Sequence, residues 1–522
     1  MSSFVWTDVT TYEISEIIRN LNNKKAPGSD EISVKIIKTL NHLLSPILSN
    51  LFNQSFLAGY YPDYLTVAKV IPLHKGGEKS LPGNYRPISI LSNIDKIFEK
   101  VIFVRLYNFF EHHNIIHSNQ FGFRHGYSTS MAVSEFYEYS LNCRDNNKVT
   151  CAVLLDLAKA FDSVDRGILL FKLKNYGIRG NMWELLNSYL HNRTQFIQNG
   201  IIKSQVVDVT VGVPQGSVLG PLLFILLIND MKNSTNLNLI NFADDTLLYS
   251  SFDSPESMEC DINTELIKID TWLKTNKLKL NVSKTKFMIF SPKSSLWKNS
   301  PPVNIKLNQL DRIHQVKDYK YLGLILDDKL NWVNHINYLK NKLSKTLGIL
   351  YRTRYFLNLE SRLTILHSLF LTHLRYGILN WGRCSKTTLK PLCTLLNRAF
   401  RCIYFCGYRD NVTKYYQENN ILMIPDMFDF ELGKFMFKYN KGLLPDNFTT
   451  YFTRSNTTHS HNTRYTKNNF KIPRKNKQIG LTTLSYKGAK LWSDIPNEIK
   501  DSYTLNIFSN NYKKFLLEKY SL

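Results

Sequence analysis

The sequence contains few cysteines for its length, and their pattern does not indicate disulfides. Its 522 residues include seven cysteines, an odd number that is spread thinly along the chain. Because no signal peptide precedes them, we expect free thiols in a reducing compartment. The pair Cys402 and Cys406 has no second ligand pair at zinc-finger spacing, which argues against a structural zinc site.

The sequence also lacks a long apolar run and has fewer acidic than basic residues. Its longest apolar stretch, 218–228, contains Gly220 and Pro221 and is too short to span a bilayer, so we expect no membrane partner. The 66 Lys and Arg residues outnumber the 42 Asp and Glu residues, and the formal net charge is +24. Such an excess is typical of proteins that bind polyanions, so composition alone predicts nucleic-acid binding.

Two adjacent carboxylates, Asp244 and Asp245, interrupt an apolar, β-favouring stretch over 237–249. That pattern predicts a β-hairpin with the acids at its tight turn. Like charges side by side are costly unless a cation neutralises them, which favours a bound metal. A solvated Asp-Asp turn is the alternative for this stretch taken alone.

A third acid, Asp156, ends the buried-type strand that is predicted over 150–155. Carboxylate oxygens from two strands suit Mg²⁺, which takes one or two carboxylates together with substrate phosphates. The sequence therefore predicts that Asp156, Asp244 and Asp245 hold two metal ions for in-line phosphoryl transfer.

Three segments resemble reverse-transcriptase motifs A, B and C, and they occur in the same order. They are Asp156 with Phe161 five residues later, Gly-Val-Pro-Gln-Gly-Ser-Val-Leu-Gly-Pro over 212–221, and Phe-Ala-Asp-Asp over 242–245. The chain is thus similar to the reverse transcriptases of jockey-type non-LTR retrotransposons. The resemblance implies an RNA-directed DNA polymerase with an α+β right-hand fold. That fold has fingers, thumb and a palm with an antiparallel sheet, here followed by a mostly helical, basic C-terminal extension.

The resemblance also implies roles at the metal site and at the nucleotide. Asp156, Asp244, Asp245 and the backbone carbonyl of Leu157 would hold two Mg²⁺ ions, with Mn²⁺ as an alternative metal. Phe161 would stand at the sugar of the incoming dNTP and clash with a ribose 2′-hydroxyl, whereas a plain core aromatic is the other interpretation.

Further residues are predicted to bind the substrates. Gln215 and Gly216 would contact the nascent base pair, because an amide can hydrogen-bond it and glycine allows close backbone approach. Arg86 and Lys75, on a hairpin predicted from two strand-like stretches, would bind the triphosphate, although ordinary solvated basic side chains would look the same. Lys284 would act at the leaving pyrophosphate, with a solvated basic face as its alternative. The primer grip is assigned to Tyr321, Leu322 and Gly323.

The sequence predicts four consecutive regions. They are an N-terminal and fingers region (1–147), a palm with motifs A to E and a helical insert (148–328), thumb helices (329–410) and a basic extension (411–522). Expected partners are an RNA template, a DNA primer or target and dNTPs, in the nucleus or cytoplasm. An endonuclease, which often precedes such polymerases, is expected to be absent from this chain and supplied elsewhere.

Two rival interpretations remain open at this point. An RNA-dependent RNA polymerase shares the palm acids but typically carries Gly-Asp-Asp in motif C and a polar residue at the position of Phe161. An inactive retroelement relic would bind nucleic acid without synthesis. Comparing rNTP with dNTP incorporation separates the three.

Overall fold

In the computed structural model of the protein, residues 2–291, 303–308, 310–455 and 469–521 are described. They form two compact units, each assembled from three separate segments. Unit 1 contains residues 2–123, 156–236 and 265–281, and unit 2 contains 124–155, 237–264 and the described residues from 282 onward. The four consecutive regions that the sequence predicts are not tested by this interleaved division, and they stay predictions.

The helices of the described chain alternate with strands up to residue 327 and dominate afterwards. In chain order the helices are α1 (Thr11–Arg19), α2 (Val34–Thr39), α3 (Asn41–Ala58), α4 (Asn93–His112), α5 (Thr129–Asp145), α6 (Arg166–Asn175), α7 (Asn181–Leu190), α8 (Gly220–Ile228), α9 (Pro255–Thr275), α10 (Val333–Thr353), α11 (Leu359–Ile365), α12 (Thr372–Arg375), α13 (Ile378–Trp381), α14 (Lys386–Tyr404), α15 (Thr413–Glu418), α16 (Ile424–Asn440), α17 (Leu484–Asp494), α18 (Asn497–Lys500) and α19 (Leu505–Glu518).

The strands belong to three sheets, two of them five-stranded and one a hairpin. In chain order the strands are β1 (Val67–His74), β2 (Tyr85–Ile90), β3 (Val149–Leu155), β4 (Thr194–Asn199), β5 (Ile202–Lys203), β6 (Val207–Asp208), β7 (Asn238–Phe242), β8 (Asp245–Phe252), β9 (Lys286–Phe290), β10 (His314–Gln315), β11 (Asp318–Tyr321) and β12 (Leu324–Asp327).

The sheet of unit 1 is built on the predicted hairpin of β1 and β2. These strands are antiparallel, with Leu73 opposite Arg86, and β4 joins the other edge of β1 in parallel. Sequence analysis did not predict β4 to β6, which separate the helical insert (α6 and α7) from the loop with Gln215. The alternation of β4 is weak, and a parallel partner more than a hundred residues away leaves no local signal.

The sheet of unit 2 has the order β10-β9-β3-β8-β7. Its central strand β3 is buried at every position and is antiparallel to both β8 and β9. Apolar side chains on both faces explain that burial, since α5 packs aromatic residues against this sheet. Phe136 of α5, for example, meets the rings of Tyr249 and Phe290 edge-on at 5.3 and 5.4 Å. The predicted antiparallel palm sheet is thus confirmed for β7, β8, β3 and β9, whereas the short edge strand β10 is parallel to β9.

Unit 2 continues into helices whose apolar faces follow the sequence pattern. In α10 an apolar stripe is buried, and the basic residues between its members are exposed; the stripe consists of Ile336, Leu339, Leu343, Leu347 and Leu350. A π-helical run, Leu366–Leu371, joins α11 to α12. The described residues after 411 are mainly helical, as predicted.

The C-terminal helices are attached to α5 through buried polar contacts. The carboxylate of Glu138 accepts hydrogen bonds from Arg383 at 3.0 Å and from the backbone N–H groups of Leu484 and Ser485 at 2.7 and 3.1 Å. Glu138 and Arg383 have side chains only 3% and 1% exposed, so loss of either leaves an uncompensated buried charge. The extension is therefore part of the core of unit 2.

Part of the basic extension, residues 456–468, lies outside the described residues. Across the described ranges, every helix is too short or too polar to cross a bilayer.

Candidate active site

The acidic pair stands on the hairpin of β7 and β8, as predicted. Phe242 is opposite Asp245, so the turn consists of Ala243 and Asp244 alone. Ala243 is buried and has φ of +56°, a left-handed conformation that costs a residue with a side chain free energy. Asp244 is half-buried and Asp245 is exposed. The sequence at the turn thus combines two carboxylates with a strained backbone.

The strand pairing of unit 2 defines what lies beside this turn. In the β3–β8 ladder Leu155 is opposite Thr246, the residue after Asp245. The side chain of Thr246 is held by Asn241, whose amide donates to its hydroxyl at 2.8 Å. The carboxyl end of β3 therefore lies at the same end of the sheet as the turn, and the next residue of the chain is Asp156.

Within unit 1, the backbone around Asp156 is fixed by the segment that follows α9. The Asp156 carbonyl accepts from the Asn281 N–H, and the Ala158 N–H donates to the Lys279 carbonyl, both at 2.8 Å. Leu157 forms an isolated antiparallel bridge with Leu280. Asp156 is half-buried. Its backbone position is set by the contacts of its own carbonyl and of the two residues that follow it.

Phe161 has a fixed position in unit 1. Its ring stacks on Phe224 of α8 with centroids 4.6 Å apart, and it meets Phe123 edge-on at 6.4 Å. The residue is only half-buried, so part of the ring remains accessible. Stacking on Phe224 together with partial exposure is compatible both with a core aromatic and with a residue that contacts the sugar of a dNTP. The role of Phe161 therefore stays a prediction.

Gln215 lies in a loop over 209–219, called here the Gln215 loop. Its side-chain amide donates to Asp162 at 2.8 Å, and its carbonyl accepts from the Ser89 N–H of β2 at 2.8 Å. The Phe161 carbonyl accepts from Val213 in the same loop at 2.9 Å. The Gln215 loop is thus attached both to the Phe161 segment and to the β1–β2 hairpin.

The loop glycines serve close approach, but to the chain itself. A Cβ on Gly216 (φ +132°) would lie 2.3 Å from the Ser89 carbonyl oxygen, and one on Gly212 (φ +86°) would lie 2.8 Å from that of Asp162. Both positions therefore require glycine for internal packing. Contact of Gly216 with a substrate stays a prediction.

Arg86 and Lys75 belong to the β1–β2 hairpin and are exposed. Lys75 follows β1, and its N–H donates to the Asn84 carbonyl at 2.8 Å. Burial raises the pKa of Asp162, and the Gln215 hydrogen bond and the charges of Lys159 and Lys75 act in the opposite direction. The charge of Lys75 therefore reaches the segment that carries Phe161.

The predicted primer grip is the hairpin of β11 and β12 in unit 2. Its turn is Leu322-Gly323, with Tyr321 opposite Leu324. Tyr376 donates its hydroxyl to the Leu322 carbonyl at 2.7 Å, and a Cβ on Gly323 would lie 2.9 Å from the Tyr376 ring. Burial raises the pKa of Tyr321 far above its usual value, and the next cause is the charge of Asp245. The hairpin base is thus electrostatically coupled to the acidic turn.

Lys284 is exposed and precedes β9 by two residues. Because Leu154 of β3 is opposite Lys286, Lys284 lies just beyond the end of the sheet that also carries the Asp244 turn. This placement agrees with the prediction for Lys284 and does not test its chemistry.

The described residues contain no group of three His, Cys, Asp or Glu side chains arranged around one metal position. The chemistry of the donors nevertheless suits Mg²⁺, which needs only one or two carboxylates when substrate phosphates complete its shell. The metal site stays a prediction.

Sequence analysis missed three polar residues behind the Gln215 loop: Asp162, Arg166 and Arg193. All three are at least half-buried, and both arginines are nearly inaccessible. A signal was available, because Asp162 directly follows Phe161. Arg166 begins α6 and Arg193 directly precedes β4, and the contacts of both elements are long-range, so the burial of the two arginines could not be read from local pattern.

Comparison of the sequence with known proteins finds similarity to reverse transcriptases. Residues 73–326 match the family described as Reverse transcriptase (RNA-dependent DNA polymerase). The chain is 29% identical to the probable RNA-directed DNA polymerase from transposon X-element of Drosophila melanogaster, over 83% of this chain and 47% of that protein. It is 31% identical to the corresponding protein from transposon BS of the same fly, over 78% and 46%. It is 29% identical to the RNA-directed DNA polymerase from mobile element jockey of Drosophila melanogaster, over 76% of this chain and 44% of that protein.

The chain spans about half the length of the curated relatives it matches. Among solved structures, telomerase from Candida albicans in complex with a fragment of telomeric RNA aligns at 12% identity and a TM-score of 0.39, over 66% of this chain and 65% of that chain. That likeness is too distant to define the fold.

Proposed function

The chain contains a reverse transcriptase domain related to those of jockey-type non-LTR retrotransposons, and on that premise we propose that it is an active RNA-directed DNA polymerase. The observation that carries the proposal is the strand register of unit 2. It sets the carboxyl end of β3, which continues into Asp156, at the same end of the sheet as the Asp244-Asp245 turn.

In the proposed reaction, the primer 3′-hydroxyl attacks the α-phosphorus of a dNTP paired to an RNA template, and pyrophosphate leaves. Asp156, Asp244, Asp245 and the Leu157 carbonyl would hold two Mg²⁺ ions, with Mn²⁺ as the alternative. When bound, such ions neutralise charge on the attacking and leaving oxygens. The strained Ala243 turn and the pinned Asp156 backbone support this role, since fixed carboxylates need little reorganisation.

The side chains of unit 1 would select and orient the nucleotide. The Phe161 ring, held by Phe224, would exclude a 2′-hydroxyl because a ring packed from below cannot retreat. Gln215 donates one hydrogen bond to Asp162, and the rest of its side-chain amide would face the nascent base pair. Arg86 and Lys75 would bind the triphosphate, and most of the rate enhancement would come from positioning and charge.

The residues of unit 2 would act on the primer and the leaving group. Tyr321, Leu322 and Gly323 would support the primer 3′ end, and Lys284 would neutralise or protonate the pyrophosphate. The partners are then an RNA template and a DNA primer or target, with any endonuclease supplied by another protein or segment.

Primer extension on poly(rA)/oligo(dT) with dTTP or UTP tests the proposal. The wild-type chain should incorporate dTTP in preference to UTP, and Asp156→Asn should lower incorporation by about 1000-fold or more, while the control Asp253→Asn at the far end of β8 should not. Phe161→Val should raise UTP use by about tenfold relative to dTTP.

Preferential UTP incorporation would assign the chain to RNA-dependent RNA polymerases. Tight primer–template binding without any synthesis would identify a relic. Undiminished synthesis by Asp156→Asn would overturn the site assignment.

A further inference from the structure

Unit 1 contains a cavity of 240 Å³ behind the Gln215 loop. Pro87 and Ser89 of β2 line one side, Gln195 of β4 lines another, and the Gln215 loop lines a third. The volume far exceeds the roughly 15 Å³ of probe-occupied space that one water molecule needs. The cavity is therefore large enough for a polyatomic ligand.

Arg166, the first residue of α6, contributes a buried charge to this cavity. The residue is 4% exposed, and its Nε and Nη1 atoms donate to the carbonyls of Gly212 at 3.1 Å and Val209 at 2.5 Å. Its buried Nη2 has no hydrogen-bond partner within the described ranges, and no carboxylate there forms an ion pair with it. A buried guanidinium without an anion is costly, which points to an external counter-ion.

Arg193 lines the same cavity and is 3% exposed. Its Nη1 donates to the Tyr189 carbonyl at 3.4 Å, while its buried Nη2 also has no partner among the described residues. Burial acts to lower the pKa of Arg193, whereas Tyr189 and then the buried acids Asp95 and Glu99 act to raise it, and the pKa lies above its usual value. Burial and then the charge of Arg193 lower the pKa of Arg166 to about 10, so Arg166 remains charged at neutral pH.

One acid also lines the cavity and would oppose an anion. Asp162 accepts a hydrogen bond from Gln215 at 2.8 Å, and burial raises its pKa. Its carboxylate is thus directed to the Gln215 amide, and its neutral form is favoured relative to an ordinary aspartate. The cavity is thus lined by one carboxyl group and by two buried guanidinium groups, each with an Nη2 atom that lacks a hydrogen-bond partner among the described residues.

We propose that Arg166 and Arg193 form a binding pocket for a phosphate group behind the Gln215 loop. Guanidinium groups present planar donors that match phosphate oxygens, and both arginines line the same cavity. Because the pocket adjoins the loop that we propose to contact the nascent pair, the phosphate comes either from a bound nucleic-acid strand or from free phosphate. The strand source rests on the proposed function, whereas phosphate binding itself does not.

The test of phosphate binding uses the full chain in EDTA, so that divalent metals at the aspartates cannot recruit the anion. Thermal unfolding is followed in sodium phosphate and in sodium chloride of equal ionic strength. Wild type should unfold at a higher temperature in phosphate, and titration should give saturation. Equal midpoints in the two salts would overturn the proposal.

Gln195→Glu adds an internal carboxylate to the cavity with little change in shape. The unfolding temperature of this variant in chloride should rise. The phosphate concentration needed for half of the stabilising effect should increase by about tenfold or more, because the new carboxylate takes a charge-assisted hydrogen bond that phosphate would otherwise accept. The matched control is Gln198→Glu on the same strand, which does not line the cavity and should respond like wild type. Arg166→Gln should also lose the response; if it does not fold, Gln195→Glu still decides the outcome. A wild-type response in Gln195→Glu would contradict the pocket.

Binding of an RNA–DNA duplex to the same variants separates the two sources. A strand phosphate predicts weaker duplex binding by Gln195→Glu, with the salt dependence reduced by about one counter-ion. Unchanged duplex binding with a lost phosphate response assigns the pocket to free phosphate. Neither result depends on nucleotide incorporation, so a chain without polymerase activity would still give an answer.

Discussion

Two hairpins of unit 2 have two-residue turns, and they meet the demands of such turns differently. In β11–β12 both turn residues have positive φ, +45° at Leu322 and +82° at Gly323. That combination matches the twist of the strands, and glycine occupies its second position. In β7–β8 the turn is Ala243-Asp244, with Ala243 at φ +56° and no glycine.

Each turn thus holds one residue other than glycine in the left-handed region, Ala243 and Leu322, which costs about 1–2 kcal/mol. In the β11–β12 turn, called the relaxed turn below, Gly323 takes the second position and the Leu322 carbonyl accepts a hydrogen bond from Tyr376. The β7–β8 turn, called the strained turn below, has no glycine and carries the two carboxylates. The two hairpins therefore differ in their second turn residue and in the side chains that they present.

The largest expected effect follows from removing a carboxylate from the strained turn. Asp244→Asn should lower dNTP incorporation by about 1000-fold or more, because it removes the charge of a carboxylate that we propose to bind metal. Primer extension and duplex binding measure the two consequences, and binding should be largely retained. The control Asp318→Asn removes an acid from the relaxed hairpin and should leave incorporation unchanged; equal losses in both variants would abolish the distinction.

Glu135 of α5 links the two hairpins electrostatically, since its charge acts on Tyr249 of β8 and on Tyr321 of β11. Burial raises its pKa to about 7, against the hydrogen bond from Asn447. The folded state therefore keeps a proton that the unfolded state releases near pH 4.3, so stability is full below that pH and falls as the pH rises to about 7. The loss is at most roughly 4 kcal/mol.

Glu135→Gln should remove this fall, so that the variant exceeds wild type in stability at pH 8 but not at pH 4.5. Denaturant unfolding of the full chain at several pH values measures it. Glu360→Gln, an exposed acid of α11, should leave the pH profile unchanged. A wild-type profile in Glu135→Gln would show that another group is responsible.

The relaxed turn should be the more sensitive of the two to a change of its own residue. Gly323→Ala should destabilise unit 2 by about 1–3 kcal/mol. The alanine would have to adopt a left-handed backbone conformation, and its methyl group would meet the Tyr376 ring. Denaturant unfolding measures the change. Gly348→Ala in α10, where a Cβ meets nothing within 4 Å, is the matched control and should stabilise by about 0.5–1 kcal/mol. If both variants changed the free energy of unfolding in the same direction, the left-handed turn and the Tyr376 contact would not explain the effect of Gly323→Ala.

The smallest effect is expected at the strained turn itself. Ala243→Gly relieves the left-handed strain but loses a buried methyl group and orders a freer residue, so stability should change by less than about 1 kcal/mol. Incorporation should fall if the strain helps to fix Asp244, and primer extension measures it. A gain in both stability and activity would show that the strain serves no purpose.

Much of the site was predictable because its motifs are local. The hairpin around Asp244 and the strand ending before Asp156 follow from the pattern of apolar, β-favouring residues, and the structure confirms them. The contacts of the loop glycines within the chain were not predicted. Gly216 approaches Ser89, a residue more than a hundred positions away, and no local pattern identifies such a partner.

The sequence by itself determined the order of motifs, the basic character and the similarity of residues 73–326 to reverse transcriptases, since these depend on residue identity and near-neighbour spacing. Only the tertiary structure decided that β4 lies beside β1, that α5 anchors the C-terminal helices through Glu138, and that two arginines share a cavity behind Gln215. Each of these depends on contacts between distant segments, whose free energy is gained only when chain entropy has been overcome by the whole fold.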